Sequence, residues 1–230
     1  MNLSWAKYKI HRDGVGFSLA LVIASYLVGK VNLQLGYLAS LSVFWCLYFF
    51  RIPKRIPPNE EGLIVSAADG RVVSIKKISP PLEFGLGNTP RTRISVFLNI
   101  FDVHINYIPI SGTIIHAYYE HGRFFNAAKD KASEHNEKNA LVIKMPNGQT
   151  LGVVQIAGLV ARRIRCDVCC GDEVSTGQYY GLIRFGSRED IYLPENVDSL
   201  VKVGDRVLAA KTILAKVNSP KKRIKKKDIK

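Results

Sequence analysis

Two almost charge-free apolar runs, 14–29 (GVGFSLALVIASYLVG) and 36–50 (GYLASLSVFWCLYFF), dominate the early pattern of apolar and polar positions. Each is short of the roughly 20 residues that cross a bilayer comfortably as a helix, although the intervening VNLQL lets the second approach that length. The pattern predicts an apolar helical hairpin, embedded in or lying on a membrane, with a buried soluble helix pair as the alternative. RIPKRIPP, 51–58, ends it, because Pro53, Pro57 and Pro58 lack an amide donor and fix φ. Beyond it the period shortens to that of strands: LIVSAADGRVVSI, RISVFLNIFDVHINYI, GTIIHAYY, ALVIKMPNGQTLGVVQIAG, RIRCDV, YYGLIRF and DIYLP. Asn147-Gly148 between two apolar runs signals a tight hairpin turn. The polar segment 127–139 is a helical or loop-like interruption. The expected fold is mainly β (α+β), a β-sandwich of hybrid-type hairpins in one body, preceded by the apolar hairpin. The divisions are 1–58 (hairpin and Pro-rich linker), 59–215 (body) and 216–230 (tail).

A weak repeat refines the body. VCCGDEV from Val168 and VKVGDRV from Val201 share V-x-x-G-D-x-V, as in the Gly-Asp turns of biotinyl- and lipoyl-type sandwich domains. Lys211 lacks the flanking methionines of a modified carrier lysine, so the repeat reads as architecture.

Charge separates the same three segments. The net charge is +14, of which 1–58 carry +6 and 216–230 carry +7, leaving +1 for the body. A nucleic-acid-binding domain carries basic residues across a folded face, so this distribution argues against one. Basic ends suit an anionic membrane surface, where each Lys or Arg near the lipid contributes about 1 kcal/mol. The tail KKRIKKKDIK also reads as a solubilising end. Cations flank the apolar pair with only Lys30 between the runs, which predicts both ends of the hairpin on the cytoplasmic side.

The titratable residues taken singly are unremarkable in type and spacing. No histidine pair has metallohydrolase spacing, and Cys166, Cys169 and Cys170 fall short of a four-ligand zinc site. Asp69 in SAADGRV reads as a turn aspartate and His104 in FDVHINYIP as a strand histidine. Gly186-Ser187, in RFGSRED, reads as the turn or bulge of a β-hairpin between GLIRF and DIYLP.

Read together, VSAADG, NIFDVHINYIPISG, HGRFFNA, NEKN and RFGSR occur in an order that resembles phosphatidylserine decarboxylase proenzymes of the short, pyruvoyl-dependent form. The resemblance runs over nearly the whole chain. It implies self-cleavage between Gly186 and Ser187, with Ser187 becoming a covalent pyruvoyl cofactor on the second of two chains, 1–186 and 187–230, that stay associated. It implies phosphatidylserine as substrate, anionic membrane lipid as partner and an inner-membrane, cytoplasmic-face location. It assigns His104 as the acid that returns a proton to the substrate α-carbon and Asp69 as a promoter of self-cleavage. Longer family members place a relay histidine where this chain has Tyr107. Two other classes stay open on the residues alone: a non-enzymatic membrane adaptor, and a pyruvoyl decarboxylase of a soluble amino acid.

Overall fold

The computed structural model describes residues 10–122, 136–158, 163–184 and 187–217. Helix α1 (Arg12–Val31) and helix α2 (Leu33–Phe49) are separated by one extended residue, Asn32, whose Oδ1 accepts the backbone N–H groups of Gln34 and Leu35 and so starts the second helix. The two helices lie against each other through small residues. A Cβ on Gly36 would stand 2.5 Å from Gly29 Cα, and Ser18 and Ser25 are buried. Leu19, Leu38 and Phe44, in contrast, are more than 60% exposed. Close backbone approach through small residues is how helices associate in lipid, where apolar side chains gain nothing by turning inward. By length and composition α1 can cross a membrane, and α2 is shorter. At its lower end the hairpin turns into a conventional core element. Phe49 and Phe50 are buried among Val103, Ile105, Leu182 and Ala209.

Among the described residues thirteen strands form three antiparallel sheets. The largest runs β12-β2-β3-β11-β7-β6-β5-β9, comprising Arg206–Val207, Gly70–Ile78, Arg91–Leu98, Ser187–Tyr192, Thr150–Ala157, Lys138–Lys144, Gly112–Glu120 and Glu173–Val174 in that order. A second has the order β4-β10-β8 (Ile105–Tyr107, Tyr179–Ile183, Ile164–Cys166), and β1 (Leu63–Val65) pairs with β13 (Ile213–Lys216). The mainly-β expectation is borne out, including the hairpin turn at Asn147-Gly148 between β6 and β7, where Gly148 adopts φ 85°. Residues 127–135 of the predicted polar interruption at 127–139 lie outside the described residues, and its last two, Lys138 and Asn139, belong instead to β6.

The V-x-x-G-D-x-V repeat forms two matching turns. Asp172 Oδ2 accepts the Cys169 N–H and Asp205 Oδ2 the Lys202 N–H, both at 2.8 Å, while Gly171 and Gly204 take φ near +97° (96° and 98°). The short strands that follow, β9 and β12, close the two opposite edges of the eight-stranded sheet. The repeat thus caps each half of the sheet, and β11 and β7 meet at its centre.

The expected hairpin around Gly186-Ser187 is corrected. Strand β10, before that dipeptide, belongs to the three-stranded sheet; β11, after it, begins at Ser187 and pairs with β3 and β7 in the large sheet. The dipeptide sits where the chain crosses between sheets, and the flanking strands are not partners of each other. All six residues of β11 are buried.

Candidate active site

Ser187 is fully buried, with Leu98 and Ala157 as its Cα partners on either side. Its Oγ has no hydrogen-bond partner among the described residues. A hydroxyl is rarely left so in a core, because burying it without a partner costs about 1–3 kcal/mol. Gly186 lies outside the described residues.

His104 reaches the same seam along the neighbouring chain. The segment after Leu98 makes a tight turn: Asp102 Oδ2 accepts the Asn99 N–H, Asn99 Oδ1 accepts the Phe101 N–H, and Arg206 donates to Asp102 Oδ1 at 2.6 Å. His104 follows immediately, and its carbonyl accepts the N–H of Ile183, the last residue of β10 before the crossover. His104 Nδ1 lies 3.0 Å from the Asp102 carbonyl oxygen. A carbonyl only accepts, so Nδ1 carries the hydrogen and Nε2 carries the lone pair. Burial lowers the pKa to about 4, against an opposing push from the Asp102 carbonyl, so the imidazole is neutral at neutral pH. Its ring packs on Phe49, the last residue of α2, with centroids 4.2 Å apart.

Asp69 stands one strand over. Gly70 follows it at φ 156°, where a Cβ would meet the Phe97 carbonyl oxygen at 2.2 Å, so β2 can lie this close to β3 only with glycine there. The Asp69 oxygens are taken by Arg55 (2.6 Å) and by the Ala209 N–H (2.7 Å). Burial raises its pKa, and both of these partners oppose the rise. Tyr107 lies against the same Arg55, gives its hydroxyl to the Pro53 carbonyl at 3.3 Å, and has its pKa pushed up to about 12 by burial. Ser187 thus opens β11 in the large sheet, and His104 is held by its carbonyl to Ile183, the last residue before the crossover that leads to Ser187. Asp69 is tied to the Pro-rich linker through Arg55, and neither of its hydrogen bonds goes to Ser187 or His104.

Sequence reasoning missed a buried polar chain beside these residues. Asn139 donates to Gln155 Oε1 (2.9 Å), Gln155 to Asn106 Oδ1 (2.9 Å) and Asn106 to Glu189 Oε2 (2.7 Å); the Tyr180 hydroxyl donates to Glu189 Oε1. Burial raises the Glu189 pKa to about 8, outweighing the two donors that favour its charged form. Asn136, from the same NEKN segment as Asn139, donates to the carbonyl of Ala157, the Cα partner of Ser187. On the other face of β11, Arg188 donates to Asp190 at 2.9 Å. The available signal was polar residues inside strand-like runs, HIN and RED, which one-dimensional reading takes for solvent-facing positions. A separate cavity of about 960 Å3 lined by Pro57, Glu60, Ile110, Met145 and Thr176 shares no residue with this seam.

A profile of the phosphatidylserine decarboxylase family matches residues 44–215. Among curated proteins, the chain is 48% identical over 214 residues to a phosphatidylserine decarboxylase proenzyme of Cereibacter sphaeroides, covering 93% of this chain and 92% of that protein. It is 46% identical over 206 residues to proteins of the same name from Rickettsia rickettsii and Rickettsia felis, covering 90% of this chain and 89% of each.

Proposed function

This chain belongs to the phosphatidylserine decarboxylase family, and we propose that it becomes active by cutting itself between Gly186 and Ser187. Its reaction is the conversion of phosphatidylserine to phosphatidylethanolamine and CO2. One observation carries the self-cleavage: the Ser187 hydroxyl is buried, uncommitted to any hydrogen bond among the described residues, and sits where the chain changes sheets. Ser18, Ser74 and Ser95 also keep buried hydroxyls without a partner among the described residues, so it is the position at the change of sheets that distinguishes Ser187.

His104 Nε2 is the base for the Ser187 proton. Ser187 Oγ bonds to the Gly186 carbonyl carbon as the peptide C–N bond breaks, and the proton passes to the released nitrogen. β-Elimination then takes the proton from the Ser187 Cα and breaks the Cβ–Oγ bond, leaving Gly186 as a carboxylate, the proton released to water, and position 187 as dehydroalanine. Water replaces its nitrogen, which leaves as ammonia, and the small chain begins with a pyruvoyl group. Once formed, this ketone supplies the electron sink for the pair released with CO2. In turnover, neutral His104 takes a proton from the substrate ammonium and returns it to the α-carbon. Asp69 is a positioning residue that holds Arg55 beside Tyr107, where longer relatives carry the relay histidine.

The two products, 1–186 and 187–230, remain one particle. The small chain carries β11, β12 and β13, and β11 pairs on both sides along its full length at the centre of the large sheet. Leaving would expose two ladders and a buried strand. The apolar hairpin holds the large chain in the inner membrane with the body on the cytoplasmic face, where the substrate and other anionic lipids lie.

The test is release of labelled CO2 from carboxyl-labelled phosphatidylserine. Phenylhydrazine, which captures ketones, is expected to abolish release and to add mass to the 187–230 chain alone. Release that is insensitive to phenylhydrazine overturns the reading.

A further inference from the structure

Ser187 and His104 sit on different sheets, and something must fix the distance between them. Ser187 opens β11 of the eight-stranded sheet; His104 immediately precedes β4 of the three-stranded sheet. Side chains alternate along a strand, so Glu189 shares a face with Ser187, and Asn106 lies two residues past His104. These two partners meet across the sheets: Asn106 Nδ2 donates to Glu189 Oε2 at 2.7 Å. We propose that the Asn106–Glu189 hydrogen bond is a positioning clamp that sets the Ser187–His104 geometry for both self-cleavage and decarboxylation. The proposal rests on the function proposed above and adds two residues to it.

The surroundings leave each clamp partner little choice. Asn106, Gln155, Tyr180 and Glu189 have no solvent exposure, so none can exchange its partner for water. The amides run in one direction, Asn139 to Gln155 to Asn106 to Glu189, each oxygen accepting and each nitrogen passing the bond on. Such a chain needs a terminal acceptor, and the Glu189 carboxyl provides it while also taking the Tyr180 hydroxyl. The chain crosses β6, β7, β4 and β11, tying the strand of Ser187 and its neighbour β7 to the strand that follows His104. Burial raises the Glu189 pKa to about 8, which favours the neutral carboxyl at neutral pH, so its part in the clamp does not depend on charge. Asp190 adjoins it in sequence and raises that pKa further, while Tyr180 and Asn106 face it directly.

The pair can be cut from either side. Asn106→Leu removes the donor and Glu189→Leu removes the acceptor, and the two changes together remove the same bond only once. Self-cleavage is followed by mass during cell-free synthesis of the full chain, and kcat and KM are measured on the cleaved protein. Losing one buried hydrogen bond corresponds to about tenfold. Each single variant is expected to slow self-cleavage and lower kcat by about tenfold or more with KM nearly unchanged, and Asn106→Leu/Glu189→Leu is expected to be no slower than the slower single variant. Two side chains with merely structural roles would lose kcat independently. The clamp is overturned if either single variant cleaves and turns over like wild type, if the two losses add in the double variant, or if the double variant fails to accumulate as folded protein. Wild-type chain that never cleaves would instead strike the function proposed above.

Discussion

The hairpin and the body are packed inside out relative to each other. In the hairpin, glycine and serine face inward (Gly14, Ser18, Ser25, Gly36) while Leu19, Leu38 and Phe44 face outward. In the body, Ile, Val and Leu fill the main core, and the one strand that opens with Ser187 buries serine, arginine, glutamate and aspartate together. The difference follows from the solvent each expects. Lipid rewards helices that approach closely and leaves their apolar groups outside. Water rewards apolar burial, so a polar strand at the centre of a sheet persists only where its groups satisfy one another. On the function proposed above, the body gives up stability for chemistry at β11, and the exposed apolar surface of the hairpin serves location. The two meet where Phe49 of α2 packs on the His104 ring and where Asp13 of α1 takes Arg165 and Arg184.

The largest effect should come from the strand whose polar burial has a chemical purpose. Ser187→Ala is expected to leave the chain uncut and its activity at background, because alanine has no oxygen to attack with. The fold should persist, since the hydroxyl makes no hydrogen bond among the described residues. A cut, active Ser187→Ala protein would dissolve the contrast between the two regions.

Next is His104. His104→Ala is expected to lower decarboxylation by about a hundredfold or more, in line with removal of a general acid–base group. With its pKa lowered to about 4, the wild-type rate should stay level from pH 8 to pH 6 and fall only as pH approaches 4. A rate governed by a group titrating near 6.5 would contradict the buried, neutral imidazole.

A smaller effect is expected on stability. Glu189 has a folded-state pKa of about 8 against an ordinary 4.5. Its contribution is fully present below pH 4.5, declines as pH rises because the unfolded chain gives up the proton first, and is gone above 8. Glu189→Gln should therefore remove part of the fall in Tm between pH 4.5 and 8. An identical pH slope in both proteins would show that the carboxyl does not titrate there.

The hairpin is sharpened by the opposite kind of change. Gly36→Leu places a side chain where even a Cβ lies 2.5 Å from Gly29 Cα, which should part α1 from α2. Self-cleavage should be unchanged, while the rate on phosphatidylserine in bilayers drops severalfold. The smallest effect concerns the basic tail, which lies outside the described residues. Deleting 221–230 should raise KM for anionic vesicles severalfold at 0.05 M salt and not at 1 M, where the Debye length is about 3 Å. An equal change at both salts would make the tail a solubilising end.

The sequence was legible where one local rule decides the outcome. The apolar runs marked both helices, Pro53 to Pro58 closed them, Asn147-Gly148 turned β6 into β7, and the repeated Gly-Asp formed the two edge turns. Partners were not legible. Strand periodicity identifies GLIRF and DIYLP as strands but carries no information about which sheet each joins, so a crossover passed for a hairpin. SREDIY looks solvent-facing because its compensation comes from Asn106 and Tyr180 on another sheet and from Arg93 on β3. Asp69 was singled out only by resemblance, and its partner Arg55 sits in a proline-rich linker that local rules treat as a spacer.

If the buried Ser187 hydroxyl exists to cut its own chain, the intact mass of protein purified from membranes shows it most directly. Two non-covalently associated species are expected: residues 1–186 with a free carboxylate, and residues 187–230 with a pyruvoyl group in place of the serine. A single species with the mass of the full 230-residue chain, recovered from membranes that decarboxylate phosphatidylserine, would contradict it.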